Sequence, residues 1–251
     1  MKRDITDTSD TKRRRDAGIL HITERDLLVL NWIAEQFCLS FDHLRRLLGL
    51  HAKATTKAPG TLSISATRDA VQRWEQLGLI EPPRKIIAEY PPYLWLSRRG
   101  ITQLGSPYPY YEPRPATIRH LYAVNAVRLT LESHSLQGNW ISYRTLRRQS
   151  QTSPIPDADL FSPTLPRIAV RVIERPPQHP ITIRDELATM EALTTLYSRF
   201  WYFVDTNAYT SLITAVRDHD ATVNPDKQLS PCIAWFTLET QEIQEIGEVS
   251  P

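Results

Sequence analysis

The sequence predicts an α+β protein in two parts: a helical N-terminal unit closed by a pair of strands, then a C-terminal α/β domain. Three observations lead there. Three stretches of helical periodicity and two short β-rich runs fill residues 22–105. A Pro- and Tyr-rich segment, SPYPYYEPRPAT (106–117), interrupts the chain. Beyond it, strand-like and helical runs alternate as far as residue 240, as in a mixed sheet with helices on both faces.

The first helix is expected over residues 22–37, with Thr23 as N-cap and Leu27, Leu30, Ile33 and Phe37 at helical spacing. LSFDHLRRLLGL (39–50) reads as a second helix capped by Ser40, with Leu44, Leu47 and Leu48 inward. A polar loop containing Lys53, Lys57, Pro59 and Gly60 follows. The third helix, residues 64–81, is expected to be capped by Ser65 and to bury Ala66, Ala70, Val71, Trp74 and Leu77 before Gly78 ends it. Residues 84–105 read as two strands joined by a turn at Pro91-Pro92, then a short helix after Ser97.

Three helices and a β-hairpin make the winged-helix form of helix-turn-helix. Such a third helix fits a major groove about 12 Å wide, while the wing touches neighbouring phosphates. Its expected outward face offers Ser63, Ser65, Thr67, Arg68, Gln72 and Arg73, hydroxyls and cations suited to phosphates and base edges of double-stranded DNA. Arg84 and Lys85 stand at the entry to the wing; Arg45 and Arg46 read as a solvated face or backbone contact. Charge agrees in sign. Lys and Arg outnumber Asp and Glu 17 to 12 over residues 1–105 and are outnumbered 13 to 16 thereafter, for a net charge of +2. Residues 1–18 read as a basic flexible tail with Lys12-Arg13-Arg14-Arg15, and 19–105 as the DNA-binding domain.

The second domain, 118–240, opens on a helix over residues 116–135 and a segment, 140–150, that starts extended and finishes helical. Strands at 157–161 and 167–174, a helix at 183–198, a strand at 199–205, a helix at 207–220 and a strand at 231–239 complete it. Residues 241–251 read as a flexible end.

Most templates for chemistry are missing. There is no phosphate-loop glycine motif, no G-x-S-x-G and no H-E-x-x-H, and the 7 histidines are scattered. His120 reads as a packing or capping side chain. Cys38 and Cys232 have no metal or disulfide spacing and read as buried free thiols in a reducing compartment. No signal peptide and no membrane-length apolar run is apparent, so a cytoplasmic protein without a membrane partner is expected.

The order α-β-β-β-α-β resembles a restriction-endonuclease-like core. In active members an Asp opening the second core strand and a Glu-x-Lys on the third hold Mg²⁺. Asp157 matches the first position and Asp159 lies one pleat on, but Arg171 and Ile173 stand where the acid and lysine belong. Glu174 is one residue out of register, and Glu132 is a stray acid on the preceding helix. Arg171 is expected to pair with Asp157 where the cation would lie.

Together the winged helix, RHLYAVNAVRLTLE, the W-x-S-Y-R-T-L-R-R segment and PDADL…RIAVRVIER resemble the replication-relaxation family over roughly residues 22–205. Members occur on plasmids and other mobile elements and typically carry an acid-containing AVEVE strand where this chain has Ala169-Val170-Arg171-Val172-Ile173. The resemblance implies a DNA-binding protein acting in replication, transposition or their regulation. Its nuclease-like domain, lacking a cofactor, would dimerise or dock a replication or transposition protein. Homodimerisation is expected from operator symmetry. The alternative is a Mg²⁺-dependent endonuclease or nickase using Asp157, Asp159 and Glu174.

Overall fold

Helix α1 (Glu24–Glu35) starts where two side chains close each other's open ends. The Thr23 hydroxyl accepts the Asp26 amide at 3.1 Å, and the Asp26 carboxylate accepts the Thr23 amide at 2.9 Å. The computed structural model describes residues 21–52, 60–134, 138–150, 154–162, 165–174, 180–238 and 245. The expected basic tail with Lys12–Arg15, most of the loop after residue 52, and all of the C-terminal end except residue 245 lie outside them.

Val29, Leu30 and Ile33 of α1 are fully buried. Past the helix, Phe37 turns the chain with a φ of +70°, a left-handed conformation that costs a residue with a Cβ. The turn delivers the chain to β1 (Leu39–Ser40), and Ser40 then caps α2 (Phe41–Leu50) by accepting the His43 amide. Helix α3 (Ile64–Gln76) begins at Ser63, which accepts the Ala66 amide. The cap is therefore Ser63 and not Ser65.

Gly78, at φ +68°, reverses the chain after α3. Strand β2 (Tyr93–Leu94) pairs antiparallel with β1, and single bridges join Ile80 to Leu96 and Arg84 to Tyr93. A regular hairpin over 84–105 does not form. Pro82, Pro83, Pro91 and Pro92 have no amide hydrogen to give a ladder. Ser97 caps α4 (Arg98–Gln103), where a Cβ on Gly100 would collide with the Leu79 carbonyl.

The Pro/Tyr-rich segment packs onto both neighbours. Buried Tyr108 meets the Thr145 hydroxyl at 2.7 Å, and the Arg98 guanidinium stacks on Tyr110. Helix α5 (Pro115–Ser133) carries a proline in its first turn, where no backbone donor is lost.

The remaining elements form one mixed sheet. Residues 139–149 start extended as β3 (Asn139–Ser142) and finish as α6 (Tyr143–Gln149). Then come β4 (Ala158–Ser162), β5 (Leu165–Ile173), α7 (Pro180–Thr194), β6 (Arg199–Val204), α8 (Thr206–Asp220) and β7 (Ile233–Thr237). The strands lie in the order β3-β4-β5-β6-β7; the first two pairings are antiparallel and the last two parallel. Val124, Val127 and Leu131 of α5 cover one face, against Val170 and Val172. Met190 and Leu193 of α7, with Leu212 and Val216 of α8, cover the other, against Ala169, Phe200 and Tyr202.

Helix α5 also faces the N-terminal helices. Leu129 belongs to their core, and Ile118 and Leu121 pack with Cys38, Tyr93 and Trp95. The Asn125 side-chain amide donates to the Cys38 carbonyl at 2.8 Å. Burial pushes the Cys38 thiol pKa up, whereas Cys232 is only half-buried, contrary to the expectation for both. Among the described residues no helix is long and apolar enough to cross a membrane.

Candidate functional site

The outward face of α3 is narrower than the sequence suggested. Ser63, Ser65, Arg68 and Gln72 are exposed, with Ile64 and Asp69 among them. Thr67 is not. It is fully buried and donates its hydroxyl to the Ser63 carbonyl at 2.8 Å. Thr67, Ala70, Val71 and Trp74 form a buried stripe at spacing i, i+3, i+4, i+7, a signal present in the sequence that assigns Thr67 inward. Arg73 also leaves the candidate surface, because its guanidinium meets the buried Asp26 carboxylate at 2.8 Å.

The remaining cations have varied settings. Arg84 is exposed but pairs with Glu112 at 2.6 Å and lies over the Trp95 ring; Lys85 is exposed. Arg45 donates to the Leu62 carbonyl, which steadies the entry to α3, and Arg46 reaches Thr130.

The second candidate centre forms where β4 begins beside β5. One Asp157 oxygen accepts from His120 Nε2 at 2.8 Å; the other accepts the Val172 amide at 2.8 Å and lies 3.6 Å from Arg171. Glu174 approaches the opposite nitrogen of the same imidazole, Nδ1, at 3.7 Å. Although alternation puts Glu174 and Arg171 on opposite sides of β5, Asp157 at the strand's start and Glu174 at its partner's end still meet around His120.

Arg171 divides its charge. It forms a two-toothed pair with Glu186 of α7, the closest approach being 2.8 Å, and Tyr202 donates to the same carboxylate at 3.1 Å. No local pattern marks Glu186; only the fold brings α7 over β5.

The other expected acids lie elsewhere. Asp159 is fully buried and held by Arg167 Nε at 2.7 Å, so it does not join Asp157. Glu132 accepts from Trp32 Nε1 at 3.1 Å and from Arg128 Nε at 2.7 Å, at the junction with α1. Among the described residues no three His, Cys, Asp or Glu side chains form a group suited to a metal ion.

No family model, curated protein or solved structure matches this chain.

The electrostatics of the Asp157 centre follow from its partners. Burial alone would raise the Asp157 pKa, but Arg171, His120 and the Val172 amide outweigh it and hold it below the ordinary 3.8. Burial alone would lower the His120 pKa; the bond and charge of Asp157, with Glu174 behind, lift it above the ordinary 6.5. Burial and the Glu186 charge push the Tyr202 hydroxyl pKa well up. The cluster is a charge-compensated polar core in which Asp157 already accepts from a histidine and a backbone amide and faces an arginine.

Proposed function

We propose that the chain is a double-stranded-DNA-binding protein whose α3 enters the major groove as the recognition helix of a winged helix. The observation that carries this reading is the outward face of α3, where Ser65, Arg68 and Gln72 are exposed. The small β1–β2 pairing and the bridges at Ile80 and Arg84 support the wing. The five-stranded sheet is then a nuclease-like domain that has lost cutting, its Asp157 neutralised by Arg171 and His120 and used for dimerisation or partner docking. The resemblance to the replication-relaxation family points to plasmids or other mobile elements, and to replication, transposition or its regulation.

The test is to map the DNA that the purified chain retains from a random duplex pool, then titrate that site by anisotropy across a salt series. Arg68→Ala and Gln72→Ala should each weaken specific binding by about tenfold, and Arg68→Ala should flatten the salt dependence. Unchanged affinity in both variants rejects α3 as the reading element.

A second reading, a metal-dependent endonuclease or nickase, draws on the meeting of Asp157 and Glu174 at His120. The same DNA incubated with Mg²⁺ or Mn²⁺ separates the two: cleavage lost in Asp157→Ala selects the enzyme.

A further inference from the structure

A cavity of about 470 Å³ opens at the junction of α1, α5 and α6, within the ordinary range for small-molecule sites. Its walls are aromatic and aliphatic. Phe37 and Tyr111 meet edge to face with centroids 4.8 Å apart, Tyr143 lies 6.4 Å from Phe37, and Leu121 and Val124 line another side. Phe37 reaches this position through the strained turn after α1. That strain persists because the ring is fixed by Tyr111 on one side and the Arg144 guanidinium at 4.6 Å.

The ionisable lining holds two carboxylates: Glu35, which gives one oxygen, Oε2, to Arg128, and Asp157, whose charge His120 and Arg171 already offset. The nearest guanidiniums do not line the cavity. Arg128 is engaged with Glu35, Glu132 and the Trp32 ring, and Arg144 donates to the Ala34 and Pro109 carbonyls. An entering ligand therefore meets ring faces, alkyl surface and carboxylate oxygens. Those surfaces attract a cation on an apolar body through ring quadrupoles and opposite charge. An anion would face the Glu35 carboxylate.

We propose that this cavity is a binding site for a small organic cation, an amine carried on an aromatic or alkyl body, with the ammonium directed at Glu35 and the body held by Phe37, Tyr111 and Tyr143. The site is independent of whether α3 binds DNA, since no α3 residue lines it.

The test uses the full chain and three probes on one skeleton: 4-phenylbutylamine, 4-phenylbutanol and 4-phenylbutyrate. Calorimetry should detect one amine per chain, bound about tenfold more tightly than the alcohol, with the carboxylate weakest. Glu35→Gln should remove the preference for amine over alcohol. Tyr143→Ala, at an exposed ring that can be removed without opening the core, should weaken amine and alcohol alike. Ala116→Trp, at the exposed mouth, should block all three. No binding of amine at millimolar concentration, equal affinity for the three probes, or full amine binding by the folded Ala116→Trp variant each overturns the proposal.

Discussion

Arg73 and Asp26, 47 residues apart, meet at 2.8 Å and tie the last turn of α3 to the first turn of α1. Asp26 also accepts the Thr23 amide, so one buried carboxylate both starts α1 and anchors α3. Arg73→Ala leaves that carboxylate without its cation. Breaking a buried pair costs about 3–5 kcal/mol; because Arg73 keeps 25% of its side-chain exposure, the expected loss is nearer 2 kcal/mol. Urea unfolding measures it. DNA affinity of the folded variant should stay within about twofold, unlike that of Arg68→Ala.

Replacing Arg171 by Leu tests the Asp157 centre. Two carboxylates, Asp157 and Glu186, lose the guanidinium between them, and a destabilisation of about 3 kcal/mol is expected at pH 7. The sign with pH follows from the lowered Asp157 pKa. Its stabilising contribution is present above 3.8 and is lost as pH falls through the lower folded value. In Arg171→Leu that pKa rises, so the gap between variant and parent should narrow from pH 7 towards pH 3.

His120 works in the opposite direction. Its pKa is raised, so the stability it contributes is complete below 6.5 and disappears as pH climbs through the higher folded value. Proton NMR of the imidazole should give a midpoint above 6.5 in the parent and a lower one in Asp157→Asn. An unchanged midpoint would separate the ring from the carboxylate.

His43 makes the N-terminal unit acid-sensitive. It is buried against Tyr122, with ring centroids 4.2 Å apart, and desolvation followed by the nearby Arg46 charge drives its pKa down to about 3. Between pH 6.5 and 3 the unfolded chain binds a proton that the folded chain refuses, so stability falls on acidification. His43→Phe should remove this term, worth on the order of 2 kcal/mol at pH 5 and little at pH 7.5. Thermal unfolding at those two pH values checks it.

The helices were legible because their starts are chemical. Thr23, Ser40 and Ser97 are caps that the sequence announces, and Gly78 stops α3. Ser63 and Ser65 are equally good caps on composition, and only the backbone turn decides between them. The strand pair over 84–105 is cut down to the Arg84–Tyr93 bridge for a local reason, the missing proline donors. The Asp157–Arg171 pairing could be inferred from strand alternation. Glu186 could not, since it arrives from α7, and His120 arrives from α5 with its partner 37 residues away. Local periodicity assigns a face; it does not say which helix will cover that face.

One helix has a wider consequence. Leu129 of α5 is part of the N-terminal core, Val124 and Val127 are part of the sheet core, and Asn125 holds the Cys38 carbonyl. The two halves are thus joined by a shared structural member rather than by a tether. Cutting before residue 115 would strip α5 from the N-terminal interior, and cutting after residue 133 would strip it from the sheet, so neither excision should yield two sound modules. The chain should melt in one cooperative event, and anything that shifts α5 will be felt at the turn of Phe37 and along the sheet together.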